Sequence, residues 1–198
     1  MNILLLNGNN GGDYLFGDAG NDTVSGGNNN DTLFGASGDD RLNGDRNQDR
    51  LVGDDGNDLL LGGTENDLLE GGQRDDTLIA AEYGNPEVQP GEQDTPSGGA
   101  GSDFFILGDR DRMLYNDRNP ATAGDTDYAL IKGFDFSQDT IQLQGDRSMY
   151  DLSFYTDGSG TTFVNIFYLE WGSTPERVGI TENVSTDLTT TNRAFFFV

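Results

Sequence analysis

Aspartate recurs every nine residues through the first part of this 198-residue chain, as Asp13, Asp22, Asp31, Asp40, Asp49, Asp58, Asp67 and Asp76. A carboxylate is a hard oxygen donor. A row of them at constant spacing becomes a cation-binding array once the backbone brings successive members together, and hard oxygens in a flexible geometry suit calcium better than magnesium, which demands a near-ideal octahedron. Composition points the same way: 35 acidic residues against 11 basic ones give a net charge of -24. That charge repels nucleic-acid phosphates and an anionic membrane surface alike, so no nucleic-acid partner and no membrane insertion is expected. There is no cysteine and no histidine, which excludes disulfides, the usual zinc centres and every histidine-based triad.

The elements that position these carboxylates are legible as a repeat. From Gly8 the chain reads GNNGGDYLF, GDAGNDTVS, GGNNNDTLF, GASGDDRLN, GDRNQDRLV, GDDGNDLLL, GGTENDLLE and GGQRDDTLI without interruption to Ile79. Position one is always glycine, position six always aspartate, and position eight is leucine except at Val24. Glycine and asparagine over positions one to five tolerate positive φ, so a tight turn is expected there. Positions seven to nine alternate as a short strand with the leucine pointing inward. Two nonapeptides then make one coil, and repeats n and n+2 stack about 4.8 Å apart. This brings together Asp13 with Asp31, Asp22 with Asp40, Asp31 with Asp49, Asp40 with Asp58, Asp49 with Asp67, and Asp58 with Asp76. Six calcium sites are expected, each completed by turn carbonyls. The row should order only as the ion neutralises it. Position four is Glu65 and Arg74 in the last two copies, and weaker sites are expected beside them. Asp18, Asp45 and Asp54 at position two are further carboxylates near the row.

The eight copies of G-G-x-G-x-D-x-U-x resemble the RTX, or hemolysin-type, calcium-binding repeat. The resemblance implies a parallel β-roll, one-step export without a cleaved N-terminal signal peptide, and an extracellular or cell-surface location. The early apolar run Ile3 to Leu6 is too short for a signal-peptide core. The resemblance also implies a secretion signal near the C-terminus, where Phe195 to Val198 is the matching hydrophobic run; the other reading of that run is an edge strand packing Phe195 and Phe197.

Beyond the repeat, residues 80–97 hold Pro86, Pro90 and Pro96 among acidic residues and read as a surface loop. A ninth copy, GGAGSDFFI, follows at 98–106, and pairing of its Asp103 with Asp67 would make a seventh site. DYALIKGFDFSQDTIQL (127–143) is similar to the strand pair that closes RTX rolls. The segment 152–169 alternates around a DGSG centre, a hairpin signal. VGITENV (178–184) and AFFFV (194–198) read as further strands. The expected fold is therefore all-β: a parallel β-roll over 1–79, an acidic loop over 80–97, and a ninth repeat with a β-strand and hairpin cap over 98–198. Without H-E-x-x-H or G-x-S-x-G the chain is expected not to be an enzyme. Glu170, Glu176 and Glu182 near Trp171 leave a calcium-dependent carbohydrate-binding or cell-surface adhesion module as the alternative, beside a secretion and folding module of a larger protein. Phe16, Phe34 and Val52 share position nine of alternate copies; exposed, such a stripe favours self-association, and covered by the tail it is a second core.

Overall fold

A computed structural model describes residues 3–81, 93–107, 128–135, 137–143, 150–158, 162–168, 176–182 and 195–197. Within them the chain is all-β, wound as a parallel solenoid of two facing sheets. One sheet runs β1 (Leu5–Asn10), β3 (Thr23–Asn28), β5 (Arg41–Arg46), β7 (Leu59–Thr64), β9 (Thr77–Ala81), β11 (Phe104–Ile106), β13 (Thr140–Leu143) and β17 (Phe195–Phe197). The other runs β2 (Tyr14–Phe16), β4 (Thr32–Ser37), β6 (Arg50–Asp55), β8 (Leu68–Gln73), β10 (Gln93–Ala100), β12 (Tyr128–Ile131), β16 (Glu176–Glu182), β15 (Thr162–Tyr168) and β14 (Tyr150–Thr156). Every pairing in the roll is parallel at a separation of two repeats, as in Leu6 with Val24 and Leu33 with Leu51. Antiparallel pairing enters only among β14, β15 and β16, where the expected hairpin joins Phe154 to Val164 and Thr156 to Thr162.

The position-eight side chains fill the space between the sheets. Val24, Leu33, Leu42, Leu51, Leu60, Leu69 and Leu78 are fully buried, and Phe105, Ile131 and Ile141 continue the stack. Leu6 and Leu15 are only partly buried, because the first coil has a neighbour on one side alone.

The strands are longer than the three residues expected. Most run six residues, from position seven of one copy through position three of the next. The position-one glycine thus lies inside a strand, and its role is close approach, not turn flexibility. A Cβ on Gly8 would stand 2.6 Å from Asp13 Oδ2 and 2.6 Å from the Gly26 carbonyl oxygen. Positive φ falls instead on positions two and four, as at Asp18 (70°), Asp45 (73°), Asn29 (80°) and Asn47 (74°).

Residues 80, 81 and 93–97, assigned above to a loop, are strand residues of the roll. Ala81 pairs with Gly63, and Thr95, Pro96 and Ser97 pair with Leu68, Leu69 and Glu70. The sequence separation between paired residues rises here from 18, as in Leu51 with Leu69, to 27, as in Leu69 with Pro96. The break is therefore one nonapeptide with nine extra residues in its turn. Its position eight is Pro96, whose carbonyl accepts the Lys132 N–H at 2.9 Å. GGAGSDFFI is consequently the tenth copy, not the ninth. β12 and β13 continue the roll in different sheets, pairing with β10 and β11 and not with each other. β17 closes the other sheet in register with β13, Phe195 opposite Ile141 and Phe197 opposite Leu143. Most of the 80–97 insertion, the segment 108–127, Trp171 and Val198 lie outside the described residues.

Candidate metal centre

Each copy turns between its strands at positions four to six, so the position-six aspartates stack in two files, one on each side of the roll. The backbone ties each aspartate into its file twice. Its carbonyl accepts the N–H of the position-seven residue two copies on, as Arg50 N–H to Asp31 O at 2.9 Å. Its N–H donates to Oδ1 of the aspartate two copies on: Asp13 to Asp31, Asp22 to Asp40 and Asp31 to Asp49 at 2.7 Å, then Asp40 to Asp58, Asp49 to Asp67 and Asp58 to Asp76 at 2.8 Å. All six expected pairs are thus adjacent.

The seventh is different. The inserted nonapeptide supplies Asp94, whose Oδ1 accepts the Asp67 N–H at 2.8 Å. Asp103 falls on the opposite side of the roll and accepts from Asp76 at 3.0 Å, so the expected contact of Asp103 with Asp67 does not form. Asp103 in turn donates to Asp139 at 3.0 Å. Asp94 and Asp139 were missed. Asp94 precedes Thr-Pro-Ser-Gly, the Asp-x-U-x-Gly of a degenerate copy, but Pro96 reads as a loop marker; Asp139 directly precedes the strand Thr140–Leu143 without the position-one glycine that marks the other copies.

These carboxylates are buried. Asp22, Asp31, Asp40, Asp49, Asp58, Asp67, Asp76, Asp94 and Asp103 are each at most 4% exposed. The second oxygen, Oδ2, of Asp13, Asp22, Asp31, Asp40, Asp49, Asp58, Asp76 and Asp103 is buried and receives no hydrogen bond. It faces the strand glycine of its own copy beside a carbonyl oxygen from two copies on: Asp22 Oδ2 and the Gly35 carbonyl flank Gly17 at 3.0 and 2.8 Å from where a Cβ would stand. A buried carboxylate oxygen without a donor is a costly arrangement unless a cation answers it. Among the described residues no three acidic side chains converge on one point, so any ion held here takes two carboxylates and fills its shell with backbone carbonyls. That all-oxygen set fits calcium.

Electrostatics records the same strain. Burial raises Asp49 to about 8, with Asp31, Asp45 and Glu65 adding to it. Burial raises Asp76 to about 7, with further push from Asp58, Asp103 and Asp75. Asp58 and Asp103 are raised to about 6, again by burial first, and Asp31 and Asp40 move in the same direction. At Asp139 the protein itself supplies the missing donor: its Oδ2 accepts the Asp135 N–H at 2.8 Å. Asp135 is in turn held ionised, below the usual carboxylate range, by the Ser137 hydroxyl, the Gln138 amide and the Ser137 N–H.

The outlying residues take definite places. Glu65 and Arg74 adopt the same left-handed conformation as Asn29 and Asn47, at φ 73° and 80°, so the turns around them keep their path. The Arg74 guanidinium lies 3.2 Å from Asp55 Oδ1 in an exposed pair. The Asp45 carboxylate accepts from Ser25 Oγ at 2.5 Å and Asn43 Nδ2 at 2.6 Å. An unforeseen second ladder runs along position five of one side: the Asp39, Asn57, Asp75 and Ser102 N–H groups donate to the side chains of Asn21, Asp39, Asn57 and Asp75.

The family model for the RTX calcium-binding nonapeptide repeat, four copies long, matches residues 7–42, 25–60 and 43–78. Comparison with curated proteins finds no match. Among the described residues no helix is long and apolar enough to cross a membrane.

Proposed function

We propose that this chain, whose residues 7–78 are RTX calcium-binding nonapeptide repeats, is a secreted, non-enzymatic protein that folds as it takes up calcium. The observation that supports this most directly is the file of buried Oδ2 atoms with no hydrogen-bond donor. A carboxylate array of that kind opposes the fold until a cation neutralises it, and binding to the folded state alone stabilises it by mass action. The pairs Asp13/Asp31, Asp22/Asp40, Asp31/Asp49, Asp40/Asp58, Asp49/Asp67, Asp58/Asp76, Asp67/Asp94 and Asp76/Asp103 would hold the ions. Asp103/Asp139 is excluded from this set because Asp135 already closes Asp139. Bound calcium supplies the positive charge that lets the two files stack; the chain's own share is to hold paired oxygens at fixed spacing. Eight divalent ions would carry the net charge from -24 to about -8, relieving self-repulsion.

The test is a calcium titration from a chelated start, followed by circular dichroism and metal analysis, with magnesium as control. A cooperative gain of β-signal with calcium alone, saturating at about eight ions per chain, is expected. A chelated chain already fully folded would sink the reading.

RTX repeats are typical of extracellular proteins, and export through a C-terminal signal is part of the same proposal. A reporter fused to residues 93–198 should leave an exporting cell, and the same fusion lacking 185–198 should stay inside. Equal export of both would remove the terminal-signal idea.

A further inference from the structure

Every copy of the repeat opens on glycine, so the position-nine residue before it always meets a neighbour without a side chain. In the middle of the roll that residue is Phe16, Ser25, Phe34, Val52, Leu61 or Glu70, but between the fourth and fifth copies it is Asn43, followed by Gly44. An asparagine followed by glycine can close on itself. The Gly44 nitrogen, which no neighbouring Cβ hinders, attacks Asn43 Cγ. The Cγ–Nδ2 bond breaks, ammonia leaves with the proton that Gly44 gives up, and a five-membered succinimide remains. Water then adds to either ring carbonyl. Opening at Cγ gives aspartate; opening at the Asn43 backbone carbonyl gives isoaspartate, whose main chain runs through the side chain. Water enters, ammonia leaves, and nothing is oxidised or reduced.

The folded roll blocks that closure. Asn43 and Gly44 lie inside β5, with Asn43 in register between Ser25 and Leu61 and Asp45 between Gly27 and Gly63. Extended parallel backbone, with ψ of about +115°, turns the Gly44 nitrogen away from the Asn43 side chain, and closure needs that peptide rotated back. The leaving nitrogen is also tied down: Asn43 Nδ2 donates to Asp45 Oδ1 at 2.6 Å, while Ser25 Oγ donates to Asp45 Oδ2. We infer that Asn43–Gly44 is a self-modification site guarded by the folded roll: a chain held without calcium converts it, and the converted chain no longer rebuilds the roll. The inference rests on the reading that the metal-free chain is unfolded. Damage follows from the position. Isoaspartate lengthens the main chain by a methylene, and Gly44 has no room to absorb the shift, since Asp49 Oδ2 and the Gly62 carbonyl crowd its Cα. Aspartate removes the donor to Asp45 and sets a like charge against it. The pairs Asp31/Asp49 and Asp40/Asp58 straddle the altered residue.

The test holds the full chain at pH 8 in calcium, in chelator, and in chelator with urea, and follows residue 43 by peptide mass mapping and the fold by circular dichroism. Asn43 should convert as fast in chelator as in urea, and about 100-fold more slowly in calcium, the protection expected of a strand inside a folded sheet. Samples aged in chelator and returned to calcium should recover less β-sheet signal than an Asn43→Ser variant aged beside them. Serine already fills the same position at Ser25, where it donates to Asp45, so the fresh variant should load calcium as the parent does. Asn7–Gly8 and Asn10–Gly11 stand in both chains, so the difference between them belongs to residue 43. Asn43 left intact in urea, conversion in calcium as fast as in urea, or equal recovery of the aged parent and variant would each overturn the proposal. A chelated chain that keeps both its dichroism and its Asn43, while urea exposes the site, would support the guard and mark failure of the calcium reading instead.

Discussion

Acidifying the calcium-free chain from pH 8 to 5.5 should restore a large part of the β-sheet dichroism that chelation removes. The sign follows from the direction of the shifts. Burial raises Asp49 to about 8, Asp76 to about 7, and Asp58 and Asp103 to about 6, from an ordinary 3.8. A folded state with raised carboxylates binds protons that the unfolded chain does not, so its stability is greatest at low pH and is lost as pH climbs through the folded values. The loss therefore begins at the ordinary value of 3.8 and is complete only at about 8, so its upper half lies on the alkaline side of where carboxylates usually matter. That upper half is also uncluttered. The chain has no histidine and no cysteine, and ordinary exposed carboxylates finish titrating well below it. Protons and calcium then compete for the same oxygens, so adding calcium to an unbuffered sample at pH 5.5, where the metal-free chain has folded by taking up protons, should release them. A metal-free chain equally disordered at pH 5.5 and 8, with no proton release on calcium addition, would show that the buried Oδ2 atoms are not what opposes folding.

The repeat was legible because every one of its columns has a single physical task. Position eight fills a space of constant width, position six must be a carboxylate, and position one must lack a Cβ. The reason for that last column was misread. Sequence offers glycine as a sign of positive φ, and only the stacked coils reveal that the Gly8 Cα faces Asp13 Oδ2 and the Gly26 carbonyl. The boundary at residue 80 was misread for a related reason. A proline and an insertion mask a copy whose remaining signals are Asp94 and Gly98, and the pairing of Pro96 with Leu69 exists only in three dimensions. That one hidden copy moved Asp103 to the other side of the roll, so an error in counting became an error in pairing. Asp139 was invisible as a member of the file because its copy has lost the glycines, and its difference from the others is a backbone N–H from Asp135 that no side-chain pattern records.

Asp49→Asn should separate the two roles that each aspartate in the file combines. Asparagine keeps the Oδ1 acceptor for the Asp31 N–H, a 2.7 Å bond, at unchanged size. It replaces the buried, donorless Oδ2 with an amide NH₂ in a space that also borders the Gly62 carbonyl, since both oxygens crowd the position a Cβ on Gly44 would take. The charge penalty disappears and a donor meets an acceptor. In chelator at pH 8 the variant should therefore be more stable than the parent by roughly 1–3 kcal/mol, the scale of one buried group left without its hydrogen bond. In calcium the order should reverse. Asp49 belongs to two pairs, with Asp31 and with Asp67, and an amide nitrogen turned toward a cation repels it, so about two ions should be lost and the calcium-bound form should melt earlier. Asp18→Asn is the control. It removes the same unit of charge at an exposed residue with φ of 70°, a conformation asparagine tolerates, and should change neither the calcium count nor the chelated stability appreciably. If both variants lose calcium equally, net charge and not the file governs binding. If Asp49→Asn is less folded than the parent in chelator, the carboxylate is not a burden on the metal-free fold, and calcium would be joining a roll that already stands by itself.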